Sequence, residues 1–316
     1  MVGRQPHPVG STIVGKKSKR NSGPKPDSRR AELLEQRRVE REALSSAPVR
    51  PFEGLAFECD MVAMREFVAS ATATLPVTGS ERPVTLATVL PGAVAALVRD
   101  DEKQDAFVAM QVQTFSEDLS ADLAAAVEWT AGATPGTSLA ASAPSETTAR
   151  LVDLVDAGSP LEITVHKDFS WWIPEGASPD PEVDATIERA NGAILPSARI
   201  TADGVSAAWW VDAGDKAHIR WVRPEDEDQL MIALARLQSE GALHVGEGSR
   251  FAGSFRTHGL LVPVFDLDPE VHPDEWATGT AELGKRLDET LADTSELSSE
   301  QRRARDGLRS RQVTLR

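Results

Sequence analysis

His166 and Asp168 stand two residues apart in a stretch where Leu161, Ile163, Val165, Phe169, Trp171 and Ile173 alternate with Glu162, Thr164, His166, Asp168 and Ser170. On a strand the imidazole and carboxylate would project from one face about 7 Å apart, where an acid can orient a general base. A solvated strand face needs the same polar alternation, and the sequence favours that plainer reading. Asp266, Asp268, Glu270 and His272 alternate in the same way, with Asp274 and Glu275 following. Hard cations take such oxygen ligands. However, Val271 occupies the position where a calcium loop needs glycine, and acids before a helix also complement its dipole. Cys59 lies between Glu58 and Asp60, whose charges disfavour a thiolate. One cysteine excludes an internal disulfide and a cysteine-cluster zinc site. Gly246-Glu247-Gly248-Ser249-Arg250-Phe251 has phenylalanine where a dinucleotide fingerprint requires its third glycine. Phosphate-loop, serine-elbow and zinc-protease motifs are missing from the sequence. No catalytic residue, metal ligand or cofactor is therefore assigned.

Two tryptophan pairs, Trp171-Trp172 and Trp209-Trp210, offer a different chemistry. Adjacent strand residues face opposite ways, so one ring of each pair enters a core. The other, Trp172 or Trp210, covers a helix-packed face or forms a platform for a partner.

Charge is divided unevenly. Residues 1–50 carry a net +7 and residues 301–316 a net +5 in a chain of −15, so residues 51–300 carry −27. Such a body repels nucleic acid and anionic membranes, whereas the ends attract both or fold back onto the body. Lys16, Lys17, Lys19 and Arg20 form a cluster suited to sequence-independent phosphate contact. No apolar run reaches the roughly 20 residues of a membrane span. The N-terminus lacks the apolar centre of a signal peptide. Both features point to the cytoplasm.

The elements that would position these residues read as α+β, with antiparallel or mixed sheets packed against amphipathic helices. Strands are expected over 84–90, 93–98, 106–112 and 161–173, a hairpin over 207–222, and strands over 251–256 and 260–265. Helical stripes are expected at Leu119/Leu123/Val127, Val183/Ile187/Ile194, Leu230/Leu234/Leu237 and Leu283/Leu287/Leu291. The recurrence of strands, acidic turn and helix leaves two related halves as one reading. The boundaries are a disordered basic tail at 1–50, halves at 51–140 and 141–293, and a helical or disordered basic tail at 294–316.

Pro51 to Val77 joins the basic end to the acidic body. Asp60 reads as an N-cap, with Cys59 and Met64 as a hydrophobic staple. Met61, Met64, Val68 and Ala71 line one face of a helix that Pro76 stops. The stretch FEGLAFECDMVAMREFVASATATLPV resembles the opening of an uncharacterised actinobacterial domain-of-unknown-function family, some members of which carry a topoisomerase II label. The resemblance runs from about Pro51 to the helix ending near Asp293. It is sharpest at Glu58-Cys59-Asp60 and Met64-Arg65-Glu66-Phe67. It implies no activity. Some relatives carry a cysteine-rich metal segment that a single cysteine cannot build, and a chain without tyrosine has no topoisomerase nucleophile.

The resulting expectation is a non-enzymatic interaction or adaptor protein with an unidentified protein partner. Its binding candidates are Glu58, Asp60, Arg65, Glu66, His166, Asp168, Trp172 and Trp210. One alternative is nucleic-acid or ribosome association through Lys16–Arg20 and Arg302–Arg311. The other is a hydrolase or metal enzyme using His166/Asp168 or the Asp266–His272 run.

Overall fold

Alternation in the strands and apolar stripes on the helices generate two six-stranded mixed sheets. The computed structural model describes residues 49–145, 148–174, 176–178 and 181–314. Lys16, Lys17, Lys19 and Arg20 lie outside the described residues.

The first sheet comprises β1 (Ala71–Leu75), β2 (Val84–Val89), β3 (Ala96–Val98), β4 (Ala106–Gln111), β5 (Ser138–Leu139) and β6 (Ile163–Val165), in the order β5-β3-β4-β2-β1-β6. Its β2–β4 pair is parallel and its other pairs are antiparallel. The second comprises β7 (Ser197–Arg199), β8 (Ala208–Asp212), β9 (Ala217–Trp221), β10 (Arg250–Thr257), β11 (Leu260–Leu267) and β12 (Gln312–Thr314), in the order β12-β10-β11-β9-β8-β7. Here only the β10–β12 pair is parallel. The helices are α1 (Glu58–Glu66), α2 (Leu119–Gly132), α3 (Leu151–Leu154), α4 (Pro181–Asn191), α5 (Glu227–Ser239), α6 (Ala277–Leu291) and α7 (Ser299–Arg309).

Burial follows from side-chain period. Met61, Val62, Ala63 and Met64 of α1 share one core with Leu75, Leu86 and Val108 of the first sheet and Trp209, Val211 and Val262 of the second. The same helix thus joins one face of each sheet. The opposite face of the second sheet packs Trp210, Ile219, Trp221 and Phe265 against Leu230, Leu234, Leu283, Leu287 and Leu308 of α5, α6 and α7. Phe107 and Ala109, out of phase with Val108, turn to the far side of the first sheet, where Trp171 packs beside them. Burying a side chain of this size contributes about 1.5–3 kcal/mol, so these three clusters supply the main cohesion.

Several boundaries depart from the sequence expectations. The helix expected to reach Pro76 ends at Glu66, and Ala71–Leu75 is a strand. Alternation of buried Ala71, Ala73 and Leu75 with Thr72 and Thr74, paired to β2 and β6, overrides the helix-compatible alanines. Phe57, not Asp60, precedes the first turn of α1, and Asp60 lies inside the helix. Its carboxylate is taken by Arg199. The 161–173 stretch forms a strand only over Ile163–Val165 and closes in a 3-10 turn at Ser170–Trp172. Asp168 Oδ1 accepts from the Ser170 amide (2.9 Å), and Asn191 Oδ1 accepts from the Phe169 amide (2.8 Å), which together divert the chain from the sheet. Ser138–Leu139, for which no strand is expected from the sequence, pairs with β3. The C-terminal stretch forms α7 and then β12, with Leu308 buried. Among the described residues, no helix is long and apolar enough to cross a membrane.

Candidate functional site

The acids of α1 point to different neighbours. Glu58 is buried and receives both Arg50 Nε (2.9 Å) and Arg50 Nη2 (2.5 Å), a bidentate pair. Asp60, two residues on, accepts from Arg199 Nη2 of β7 at 2.6 Å. Burial pushes the Asp60 carboxyl above its usual range, while Arg199 and the Trp209 indole pull it down. Among the described residues, neither Asp60 Oδ1 nor Trp209 Nε1, both buried, has a well-formed hydrogen bond. Glu66 Oε1 lies 2.7 Å from His258 Nε2, on the two-residue His258-Gly259 turn between β10 and β11. Both turn residues have positive φ (48° and 73°), as a right-twisted two-residue hairpin requires. Arg65 donates to the Met110 carbonyl and lies 4.8 Å from the centre of the exposed Phe115 ring. Glu58, Asp60, Arg65 and Glu66 therefore bind four separate parts of the chain: the segment before α1, strand β7, strand β4 and the β10–β11 turn. Cys59 sits among them, its thiol pushed up to about 12 by burial and then by Glu58 and Asp60.

Beside Arg65, a cavity of about 20 Å³ is lined by Leu119, Asp122 and Leu123, room for about one water molecule. Asp122 Oδ2 accepts from the Ser116 amide at 2.7 Å, and its Oδ1 is buried without a partner among the described residues. Burial raises the Asp122 carboxyl above its ordinary value.

His166 and Asp168 do not join as an acid–base pair. His166 Nε2 is hydrogen bonded to Thr72 Oγ1 at 2.8 Å, and the ring stacks on Trp171 with centroids 5.5 Å apart. Burial lowers the His166 pKa, with Asp168 opposing. Asp168 is committed to the Ser170 turn, whose hydrogen bonds hold its carboxyl below the usual range. Trp171 Nε1 donates to Ser70 Oγ (2.9 Å) and Trp172 Nε1 to the Val89 carbonyl (3.1 Å). Arg99 braces the turn from the Trp171 carbonyl and stacks on Phe107. Trp172 remains half-exposed, whereas Trp210 is 9% exposed inside the second core.

The acidic run after β11 also separates. Asp266 is held by Lys216 Nζ (2.8 Å), Arg250 Nη2 (2.7 Å) and His218 Nδ1 (3.2 Å). Burial pushes its carboxyl up, but Lys216 and Arg250 outweigh that and leave it below the ordinary value. Asp268 accepts from the Glu270 amide (3.0 Å), and His272 Nδ1 accepts from the Asp274 amide (3.4 Å). Among the described residues, no group of three His, Cys, Asp or Glu side chains is placed to hold a metal ion. The basic C-terminal stretch lies on the body, with Arg309 donating to Asp228 (2.6 Å) and Gln312 to Glu227 (2.8 Å).

Arg199, Arg99 and Arg220 escaped the sequence reading. Each is an arginine on or near a strand, which alone says nothing of its partner. Arg220 lies on the α1 side of β9 beneath the Phe67 ring, 5.5 Å from its centroid. Phe67, Arg220, Phe255, Val264 and Val313 line an open recess of about 380 Å³ at the end of α1.

Over residues 51–316 the chain matches the model of DUF5926, a family of unknown function, and it belongs to that family. The match passes Asp293 and takes in α7 and β12, which are packed parts of the body. No curated protein and no solved structure matches the chain.

Proposed function

We propose that this DUF5926 protein is a non-enzymatic interaction protein, an adaptor whose acidic body receives a cationic protein surface. The carrying observation is the dispersal of the α1 charges: Glu58, Asp60 and Glu66 each engage a cation or imidazole on a different element. Groups spent in this way hold two sheets in register and do not converge on a substrate. The resulting scaffold keeps a net −27 over residues 51–300, a field that accelerates encounter with a positive partner. Trp172 and the exposed Phe115 supply apolar contact at the surface.

The test uses the full chain as bait in native lysate, with and without nuclease. A protein retained after nuclease, with association slowed by added salt, is the expected result. Complete release by nuclease would instead support attachment through nucleic acid and the Lys16–Arg20 cluster. A turnover abolished by His166→Ala or Asp168→Ala would favour catalysis.

A further inference from the structure

We infer that the recess beside Arg220 is a binding site for an oxyanion carried on an apolar group, such as a fatty or aromatic carboxylate or an alkyl phosphate. The cross-strand register places Trp209, Arg220, Val264 and Gly253 in one row on the α1 side of the second sheet. Trp209 is covered by α1 and its core, but Arg220 lies where that helix ends. Its guanidinium is half-buried, and among the described residues it has no carboxylate partner.

Glu66, which itself lines the recess, and Asp266, paired to His218 on the same strand as Arg220, are already occupied. Glu66 is bound by His258, with Arg65 at 3.8 Å. Asp266 is shared by Lys216, His218 and Arg250. Arg82 and Arg99, also half-buried without a carboxylate, donate to backbone carbonyls, whereas Arg220 has no side-chain acceptor among the described residues, and desolvating a charge without a counter-ion is unfavourable. Phe67 offsets part of that cost by stacking. An arriving oxyanion would offset the rest through the planar fork of donors that arginine presents.

The shape agrees with the charge. Gly253 follows a β-bulge in β10 and lies on the recess floor. A Cβ there would come within 2.8 Å of the Arg311 carbonyl, so the close β10–β12 approach keeps the position free of a side chain. Phe255 and Val264 provide apolar walls, and Val313, 59% exposed, forms the outer lip. Arg311 also borders the recess through its backbone, while its guanidinium lies over the Phe251 ring, 5.6 Å from the centroid. The volume of about 380 Å³ falls within the range of small-ligand pockets.

The site stands apart from the adaptor reading, and its failure would leave partner capture unaffected. Titration calorimetry of the full chain with hexanoate, benzoate and hexyl phosphate, against hexanamide and inorganic phosphate, tests it. At least one apolar oxyanion is expected to bind more tightly than inorganic phosphate, with hexanamide silent. Arg220→Gln should weaken that binding at least about tenfold, the loss of one charge-assisted contact. Arg220→Lys keeps the charge without the fork and should fall between, which preserves the test if the glutamine variant folds poorly. Absence of binding by all three apolar oxyanions up to about 10 mM would overturn the proposal. So would undiminished affinity in folded Arg220→Gln, or equal affinity for hexanamide.

Discussion

Removing Arg199 from β7 should expose the central joint of the molecule to measurement. Asp60 is 6% exposed, and Arg199 is the only cation bonded to it among the described residues. Breaking a fully buried pair from one side costs about 3–5 kcal/mol. The Arg199 side chain is 32% exposed, so water reaches the pair and the estimate for Arg199→Met falls to about 2–3 kcal/mol. Asp60→Asn leaves an arginine that can rehydrate, at a cost of about 1 kcal/mol. The double variant has no stranded charge, so a coupling of about 2 kcal/mol is expected. Urea unfolding followed by tryptophan fluorescence reads these values as midpoint shifts at constant slope. The pH dependence has a definite sign. Burial already raises the Asp60 carboxyl, and without Arg199 it rises further. A raised acid contributes its stability below the unfolded-state value and loses it as pH rises through the folded one. The extra cost of Arg199→Met is therefore full at neutral pH and shrinks on acidification through the carboxylate range. A cost below about 0.5 kcal/mol, or strictly additive single variants, would refute the reasoning.

Gly279 and Gly307 both lie inside helices, yet alanine should act oppositely at the two. A Cβ at Gly279 would overlap the Val245 carbonyl oxygen, whereas Gly307 faces open space. Thermal unfolding should show Gly307→Ala stabilised by about 0.5–1 kcal/mol and Gly279→Ala destabilised by about 3 kcal/mol or more, despite the same helix-propensity gain. Cys59, with its thiol pushed up to about 12, should resist iodoacetamide at pH 8 in the native protein and react readily in denaturant. His166 and His218 are both held below their ordinary values by burial. A depressed imidazole contributes stability above its unfolded value and loses it as pH falls through the folded one, so midpoints should drop below about pH 6.5. Replacing both with glutamine should flatten that drop.

Much of the α+β architecture was legible because local signals agreed with tertiary fate. The Leu230/Leu234/Leu237 stripe forms the buried face of α5, which Asp226 caps. The hairpin expected over 207–222 forms as β8 and β9. Ala71–Leu75 was misread because alanine and threonine fit a helix until β2 and β6 supply ladder partners. Tryptophan pairs alternated as expected only where the strand persisted. At Trp209-Trp210 both faces are buried, and at Trp171-Trp172 the strand gives way to a turn. Asp60 looked like a cap because its partner, Arg199, is 139 residues away. Arg220 was least legible of all, since its significance lies in which carboxylates are already engaged elsewhere.

The most direct measurement of the adaptor account is capture by the Phe115→Ser/Trp172→Ala full chain from nuclease-treated lysate, beside the unaltered chain at matched salt. The account predicts a protein partner retained by the unaltered chain and held less by the variant. Loss of all captured protein on nuclease treatment, or a substrate turned over by the unaltered chain alone, would contradict it.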